Sequence, residues 1–490
     1  MIGRVLHNPL NGRFTTINIH RSYEDAKPQK DKVYWSCSEN SQTNSWNVNF
    51  NSGQINNNNK NNTTNVVRAV SAHDGLYSDF YKSILQAYKD CLRGKRNSKQ
   101  GMAYMQIAEY DLPVLAKEIW SGTYHPTTST CFLVSYPKLR EVFAANFRDR
   151  IVHHWICERL EPLFEYRFRS QGDVSFNCRK GFGTQKCIDH CVEGIKQVSS
   201  NYRKQAWVFK GDFIGFFMSI DKELLWNLLD KFIKRWKKSS DKNGWNYYGL
   251  NMPVMYWDIL LRLTEIVVKH HPEKDCIFNT IPEKWKDLSP DKSLFNKKEK
   301  GEPIGNLTTQ LFANFLMSYF DMYVQFKFRK QNYSYERFVD DFDIKCDDLN
   351  FMMTTIKDLE YFAESRLLLK MHKDKRYIQP VSHGIKLVGS YIKPNRVYLT
   401  NRTLARFQER ANGFKKLMES RNLNCLDCQR IEQVMNSYLG FCKGKRTYQR
   451  RKDTLLSMGN IFFKYFYIRG HYESVRTKIK YRTINLPFEL

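Results

Sequence analysis

Phe338-Val339-Asp340-Asp341-Phe342-Asp343-Ile344 sets two adjacent carboxylates between apolar residues, the pattern of a tight β-hairpin with acids at its tip. Burying such charges is costly unless cations neutralise them. Hard oxygen donors of this kind suit Mg²⁺, which takes one or two carboxylates plus substrate phosphates and keeps several waters. An Asp-Asp pair alone is also what an acidic surface loop looks like, so a further acid is needed. It lies in Lys210-Gly211-Asp212-Phe213-Ile214-Gly215-Phe216-Phe217-Met218-Ser219-Ile220-Asp221, where Asp212 ends the apolar run Trp207–Phe213. Two metals roughly 4 Å apart require carboxylates from separate strands brought side by side. Asp212 and Asp340 supply such a pair. Asp221 reads instead as the cap of the helix that follows.

Around these acids the chain mixes short β-like runs (Trp207–Phe213, Arg337–Ile344, Gly384–Ile392) with helical segments (Lys222–Trp236, Thr309–Phe326, Phe351–Leu368). That order predicts an α+β sheet domain. Leu76, Phe80, Ile84, Leu85, Tyr88 and Leu92 recur at helical spacing before the stop at Gly94, and residues 140–165 read as helical as well.

The block Lys210–Asp221 resembles motif A of reverse transcriptases, and Phe338–Asp341 resembles their Tyr-x-Asp-Asp motif C with Phe in place of Tyr. Pro303–Asn314 resembles motif B. Pro137-Lys138-Leu139-Arg140-Glu141 through Val152 resembles the first fingers motif, and Ser175–Gly181 the second. Leu368–Lys375 and Gly384–Gly389 are similar to motifs D and E. The resemblance implies a right-hand polymerase: fingers at 76–205, a palm with an antiparallel sheet at 206–398 (with an insertion near 237–302), and a basic helical thumb at 399–490. It implies that Asp212, Asp340 and Asp341, with the Phe213 backbone, hold two Mg²⁺ ions (Mn²⁺ as a substitute). Phe217 takes the steric-gate position, where a bulky ring clashes with a ribose 2′-OH. Arg140 and Arg179, with Lys138, would clamp the triphosphate, since Arg's planar fork suits phosphate oxygens. Gly305 and Gln310 join the dNTP contacts, and Lys375 is the motif D cation near the leaving group. Gly384, Leu387 and Gly389 form the primer grip.

Motif B narrows the resemblance. Ile304-Gly305 opens it and Thr309-Gln310 closes it, a form similar to reverse transcriptases of diversity-generating retroelements, apart from Thr309 in place of Ser. Those enzymes copy a template-repeat RNA and misincorporate opposite adenine. Ile304, Asn306 and Thr309 are then the template-side residues, and replacing a polar Gln by Ile304 would relax fidelity. A phage-defence reverse transcriptase shares the motifs and is the alternative; a non-catalytic RNA-binding scaffold is a remoter one. Partners implied are template RNA, cDNA, dNTPs and a small basic accessory protein, in the cytoplasm of a bacterium or from a phage genome. No RNase H or endonuclease segment is expected after the thumb.

Composition agrees with a polyanionic partner. Lys+Arg number 78 against 50 Asp+Glu, a net +28 over 490 residues, while 42% apolar residues suffice for a buried core. No run of eighteen apolar residues offers a membrane span. Residues 402–490 hold 19 Lys/Arg against 7 Asp/Glu. There Lys443, Lys445, Arg446, Arg450, Arg451 and Lys452 surround Tyr448, cations to track a phosphate backbone beside a ring to stack on a base. The bland alternative is a solvated basic face. Cys425/Cys428 and Cys187/Cys191 have ligand-like spacing without a matched second pair, so packed thiols are expected rather than zinc.

The front of the chain differs. Asparagine fills 12 of the 26 positions from Asn40 to Asn65, too polar to bury much surface. Yet Trp46–Phe50 alternates as a strand does, with Ser52-Gly53 as a turn. Residues 1–75 are read as an Asn-rich extension resembling the end of a lectin-like variable repeat, with a polar extension unrelated to any template as the alternative.

Overall fold

The computed structural model describes five short strands between residues 5 and 59 as backbone, then residues 71–135, 138–243 and 252–482, with side chains from 75 onward and not at 240–243. The strands are β1 (Val5–His7), β2 (Phe14–Thr16), β3 (Val33–Glu39), β4 (Asn44–Asn49) and β5 (Ile55–Asn59), with β3-β4-β5 forming one antiparallel sheet. The strand expected at Trp46–Phe50 is β4. Phe50, the Ser52-Gly53 turn and the stretches of the lectin-like fragment between and after these strands lie outside the described residues.

The chain divides into two compact units, Met1–Lys89 with Ile107–Ser121, and Asp90–Gln106 with Gly122–Leu490. In the first, helix α1 (Ser71–Leu92) and helix α2 (Lys99–Ser121) contribute buried Phe80, Ile84, Leu115 and Ile119. Trp120 packs edge-on to Tyr77 and tilted on Phe80. The apolar spacing that predicted α1 is the spacing of its buried side.

In the second unit, β6 (Ser129–Val134) pairs with β7 (Arg140–Ala144), and helix α3 (Phe147–Ser170) follows. The helix expected over 140–165 therefore begins late. Residues 140–144 alternate exposed and buried as a strand does, and Asn146 caps α3 by accepting from the Arg148 N–H. Next come α4 (Thr184–Val198), β8 (Trp207–Gly211), the single turn α5 (Phe216–Ser219), α6 (Lys222–Asn243), α7 (Val254–Lys269) and β9 (Cys276–Phe278), which joins β6 in parallel. Asp221 caps α6, as expected: its carboxylate accepts the Leu224 N–H at 3.0 Å.

Helix α8 (Leu307–Phe328) is apolar on all sides and buried, as a central helix must be. Beyond it β10 (Tyr333–Phe338) and β11 (Asp341–Cys346) form the hairpin expected from the sequence, with Val339 and Asp340 at its turn. Then follow α9 (Leu349–Arg366), β12 (Tyr377–Pro380), and the small sheet β13 (Ile385–Leu387), β14 (Ser390–Lys393) and β15 (Arg396–Leu399). The central sheet is antiparallel, in the order β10-β11-β8-β12. Finally α10 (Asn401–Ser420), α11 (Cys425–Cys442), α12 (Tyr448–Leu456), α13 (Gly459–Tyr465), β16 (Phe466–Arg469) and β17 (Ser474–Thr477) enclose their own core around Phe407, Met435, Leu439 and Phe462. Among the described residues no helix is long and apolar enough to cross a membrane.

Candidate active site

The sheet register brings the acids together. Phe342 of β11 lies opposite Gly211 of β8, so the hairpin tip carrying Asp340 and Asp341 stands beside Asp212. The close fit depends on Gly211, since a Cβ there would meet the Phe342 ring at 2.3 Å. Beneath the tip Phe342 packs with Phe209, Phe213 and Phe320, ring centroids 5.1–6.0 Å apart. Phe213 is thus a core side chain, which leaves only its backbone for the metal-holding role that the resemblance implies.

Asp340 is half-buried, and burial together with the Asp212 and Asp341 charges pushes its carboxyl up to about 6, with Arg140 easing it only in part. Asp341 is also raised by burial, but Lys210 relieves it at 2.5 Å. Asp212 has the Lys375 ammonium at 3.7 Å. Asp340 alone of the three has no ion-pair partner within 4.0 Å among the described residues. Mutually repelling, half-buried hard oxygen donors short of positive charge fit divalent cations such as Mg²⁺.

The hairpin turn is held in an uncommon shape. Val339 has φ 63°, costly for a β-branched residue and kept only where its surroundings impose it. Asn177 accepts the Val339 N–H at 2.8 Å, and Arg337 donates to the Val339 carbonyl at 2.9 Å. Arg337 is fully buried and grips Asp321 of α8 with two bonds, at 2.7 and 2.6 Å, and Asn314 at 2.9 Å. Sequence reasoning missed Lys210, Arg337, Asp321, Asn314 and Asn177. A signal existed, because a charge inside an apolar run needs a partner; Asp321 in α8 and Lys210 in β8 are such charges.

The nucleotide-side candidates divide. Arg140, at the start of β7, is exposed and near enough to Asp340 to act on its charge. Lys138 is exposed too. Phe217 is half-buried while its neighbour Phe216 is core. Gln310 is exposed at the start of α8 and accepts from the Cys178 thiol at 3.1 Å. Gly305 has φ +132°, and a Cβ there would meet the Phe143 carbonyl at 2.5 Å, so only glycine fits the turn.

Arg179 does not serve as a triphosphate clamp here. Its side chain is fully buried and committed to Glu165 at 2.8 and 2.9 Å, Asp173 at 2.5 Å and the Ser175 carbonyl at 2.8 Å. Asn306 and Thr309, expected on the template side, are also buried: Asn306 accepts from the Ala145 N–H at 3.2 Å and Thr309 donates to the Pro303 carbonyl at 2.9 Å. They shape the turn from behind. Ile304 is half-buried against Phe143 and Met218. In the β13–β14 hairpin, Gly384 and Leu387 are buried, Leu387 in the core with Cys187 and Ile188, while Gly389 is exposed.

The basic segment is split likewise. Lys443, Arg446 and Arg450 are exposed and Lys452 is half-buried. Lys445 is buried on the Phe441 carbonyl at 2.7 Å and Gln185 at 3.1 Å, and Arg451 on the Tyr472 carbonyl at 3.0 Å. Buried cations with carbonyl partners hold the fold of this C-terminal segment and are not free to meet phosphates.

The described cysteines are free, and Cys187, Cys191 and Cys428 are packed thiols. Among the described residues one group has metal-like spacing, Cys191, Glu336 and Asp343. The Lys345 ammonium already lies on both carboxylates, so a built-in cation fills that place.

No protein-family model matches the chain. It is similar to Protein YkfC of Escherichia coli (strain K12), 21% identical over 316 residues, 57% of this chain and 70% of that protein. It is also similar to nuclear intron maturase 1, mitochondrial, of Arabidopsis thaliana, 32% identical over 104 residues, 21% of this chain but 13% of the maturase. Among solved structures, telomerase from Candida albicans in complex with a TWJ fragment of telomeric RNA is 12% identical with a TM-score of 0.40, covering 73% of this chain and 59% of that one. A truncated apo telomerase from Candida tropicalis is 11% identical with a TM-score of 0.39, covering 56% and 55%. The chain thus spans under two thirds of the maturase and of either telomerase chain. These likenesses are coarse, and none is specific to one class of retroelement.

Proposed function

We propose that this chain is an RNA-directed DNA polymerase, which joins dNTPs to a primer 3′-hydroxyl at Asp212, Asp340 and Asp341. The observation that carries this reading is Asp340: a half-buried carboxyl pushed up by its burial and by two neighbouring acids, with no ion-pair partner among the described residues. Two bound Mg²⁺ ions, or Mn²⁺, would activate the hydroxyl and steady the pyrophosphate. Arg140 and Lys138 then meet the triphosphate, and Lys375 stands beside Asp212 where leaving-group charge develops. The Phe217 ring excludes a ribose 2′-OH. The maturase likeness supports the RNA-templated reading, as does the net charge of +28.

At the finer level we read the chain as the polymerase of a diversity-generating retroelement, with template-repeat RNA, its cDNA and a small basic accessory protein as partners. Support comes from the Ile304-Gly305 opening of motif B and from Ile304 lying against Phe143 and Met218 behind the turn. Primer extension on an adenine-containing RNA tests both levels. Extension lost in Asp340→Ala upholds the chemistry, and equal extension by both proteins defeats it, leaving the scaffold alternative. Errors concentrated opposite adenine and reduced in Ile304→Gln support the retroelement reading; an even error spectrum favours the phage-defence alternative.

A further inference from the structure

Glu302 belongs to none of the roles above, yet it is 1% exposed and stands just before motif B. Burial pushes its carboxyl upward, and the Lys222 ammonium is the group that opposes this. Lys222, itself 3% exposed, is the first residue of α6 and donates to the His270 carbonyl at 2.5 Å. One Glu302 carboxylate oxygen, Oε1, has no hydrogen-bond partner. The residue lines a small cavity of about 10 Å³ together with Asn306, Thr308 and Thr309, room for about one water molecule.

The backbone at the same place is stitched to motif A. The Glu302 N–H donates to the Phe217 carbonyl at 2.8 Å and the Gly301 N–H to the Ile220 carbonyl at 2.7 Å, and Lys300 bridges Asp221 in antiparallel fashion. Glu302 therefore touches the two elements that bracket an incoming nucleotide. Its main chain holds the residue bearing the gate ring, and its side chain faces the turn that presents Gly305 and Gln310. Thr308 and Thr309 are tied from that turn to His153 at 2.7 Å and to Pro303 at 2.9 Å. These bonds hold the turn in place beside Glu302.

We infer that Glu302 is a positioning residue for sugar selection, holding the Phe217 ring in register with the motif B turn. This rests on the polymerase reading, of which it names a specificity determinant. Without the carboxyl, the cavity enlarges and the 300–302 segment settles toward it, carrying the Phe217 backbone with it. The gap between ring and sugar then opens.

The test is steady-state primer extension by the full chain with dNTPs and with rNTPs. The variants are Glu302→Ala, Glu302→Gln, Phe217→Ala and the double variant Phe217→Ala/Glu302→Ala. Glu302→Ala is expected to lower discrimination against rNTPs about tenfold, the scale of one lost pocket constraint, mainly through a lower KM for rNTPs at nearly unchanged kcat for dNTPs. Glu302→Gln, which keeps the shape and fills the same space, should restore most of it. In the Phe217→Ala background the second change should add nothing, because the ring it positions is gone. Unchanged discrimination in Glu302→Ala, or equal loss of rate for both sugars, overturns the role and leaves the polymerase reading standing. Additive effects in the double variant overturn it as well. Should Glu302→Ala fail to fold, discrimination in the smaller polar variant Glu302→Ser decides, a wild-type ratio there overturning the role. No extension by the wild-type chain with Mg²⁺ or Mn²⁺ fells the polymerase reading, and the Glu302 role with it.

Discussion

Two clusters of acids share one face of one hairpin and have opposite fates. At the tip Asp340 and Asp341 meet Asp212. Further along the strand, Asp343 lies opposite Glu336 on one side and Lys210 on the other. Strand periodicity puts Asp341, Asp343 and Lys345 on the same side of β11. In the inner cluster Glu336, Asp343 and Lys345 are all fully buried, and the Lys345 ammonium contacts both carboxylates. Despite its burial, Glu336 is held well down by Lys345 and His190, while burial and Glu336 push Asp343 up. Lys210 spans the two clusters, 2.5 Å from Asp341 and 3.9 Å from Asp343. The inner acids carry their cations in the sequence, whereas the outer acids are short of one. That difference separates structure from chemistry more sharply than any count of acids does.

The hardest blow to this contrast comes from removing one acid at each level. Asp340→Ala should abolish primer extension, by about 10³-fold or more on the scale of lost electrostatic catalysis, while leaving the denaturant midpoint unchanged or raised, since it relieves repulsion with Asp212 and Asp341. Lys345→Met should do the reverse to the fold. Leaving two buried carboxylates without their ammonium costs about 3–5 kcal/mol, read as a lower urea midpoint. A Lys345→Met protein as stable as wild type would break the comparison at its inner end.

A milder probe uses the cations themselves. Burial, with Asp212 and Asp341 adding, raises Asp340 to about 6, above the roughly 3.9 of an unfolded chain. Between those values the folded protein binds a proton that the unfolded chain does not, so metal-free stability falls as pH rises through about 6. Mg²⁺ needs the ionised form and works the other way. It should raise the melting temperature at about pH 8, far less at about pH 5, and not at all in Asp340→Asn. Asp343→Asn should leave the Mg²⁺ response in place. A response lost there instead would assign the metal to the inner cluster.

The outer acids were legible in the sequence, and the inner cluster was not, for one physical reason. A metal site announces itself by carboxylates at strand ends, but a buried ion pair depends on which strands become neighbours. Asp343 was read only as part of the hairpin pattern, and Lys210 only as the opening of motif A. Arg179 misled in the same way, because Glu165 and Asp173 claim it from a helix and a loop whose approach no spacing reveals. Helical periodicity gave α1, where the apolar stripe is long. It overran into β7, whose five residues are too few to show a period of two against the apolar stripe of α3. The Asp221 cap was readable because capping is local.

The same rule, that a cation with a built-in partner is structural, divides the basic C-terminal segment, and here the effects are smallest. Lys443, Arg446 and Arg450 are exposed, while Lys445 and Arg451 are buried on main-chain carbonyls. Each exposed cation that meets a phosphate releases about one counterion, so replacing all three by Ala should flatten the salt dependence of RNA binding by up to about three units of slope. Melting temperature should scarcely change. Lys445→Ala and Arg451→Ala should behave oppositely, each lowering stability by about 1–3 kcal/mol through carbonyls left without a donor, with the salt slope intact. Binding titrations at several salt concentrations beside thermal melts separate the two sets. If Lys445→Ala flattened the slope as much as Arg450→Ala, burial would not be what sorts cations in this chain, and the division between the two acid clusters would lose its general footing.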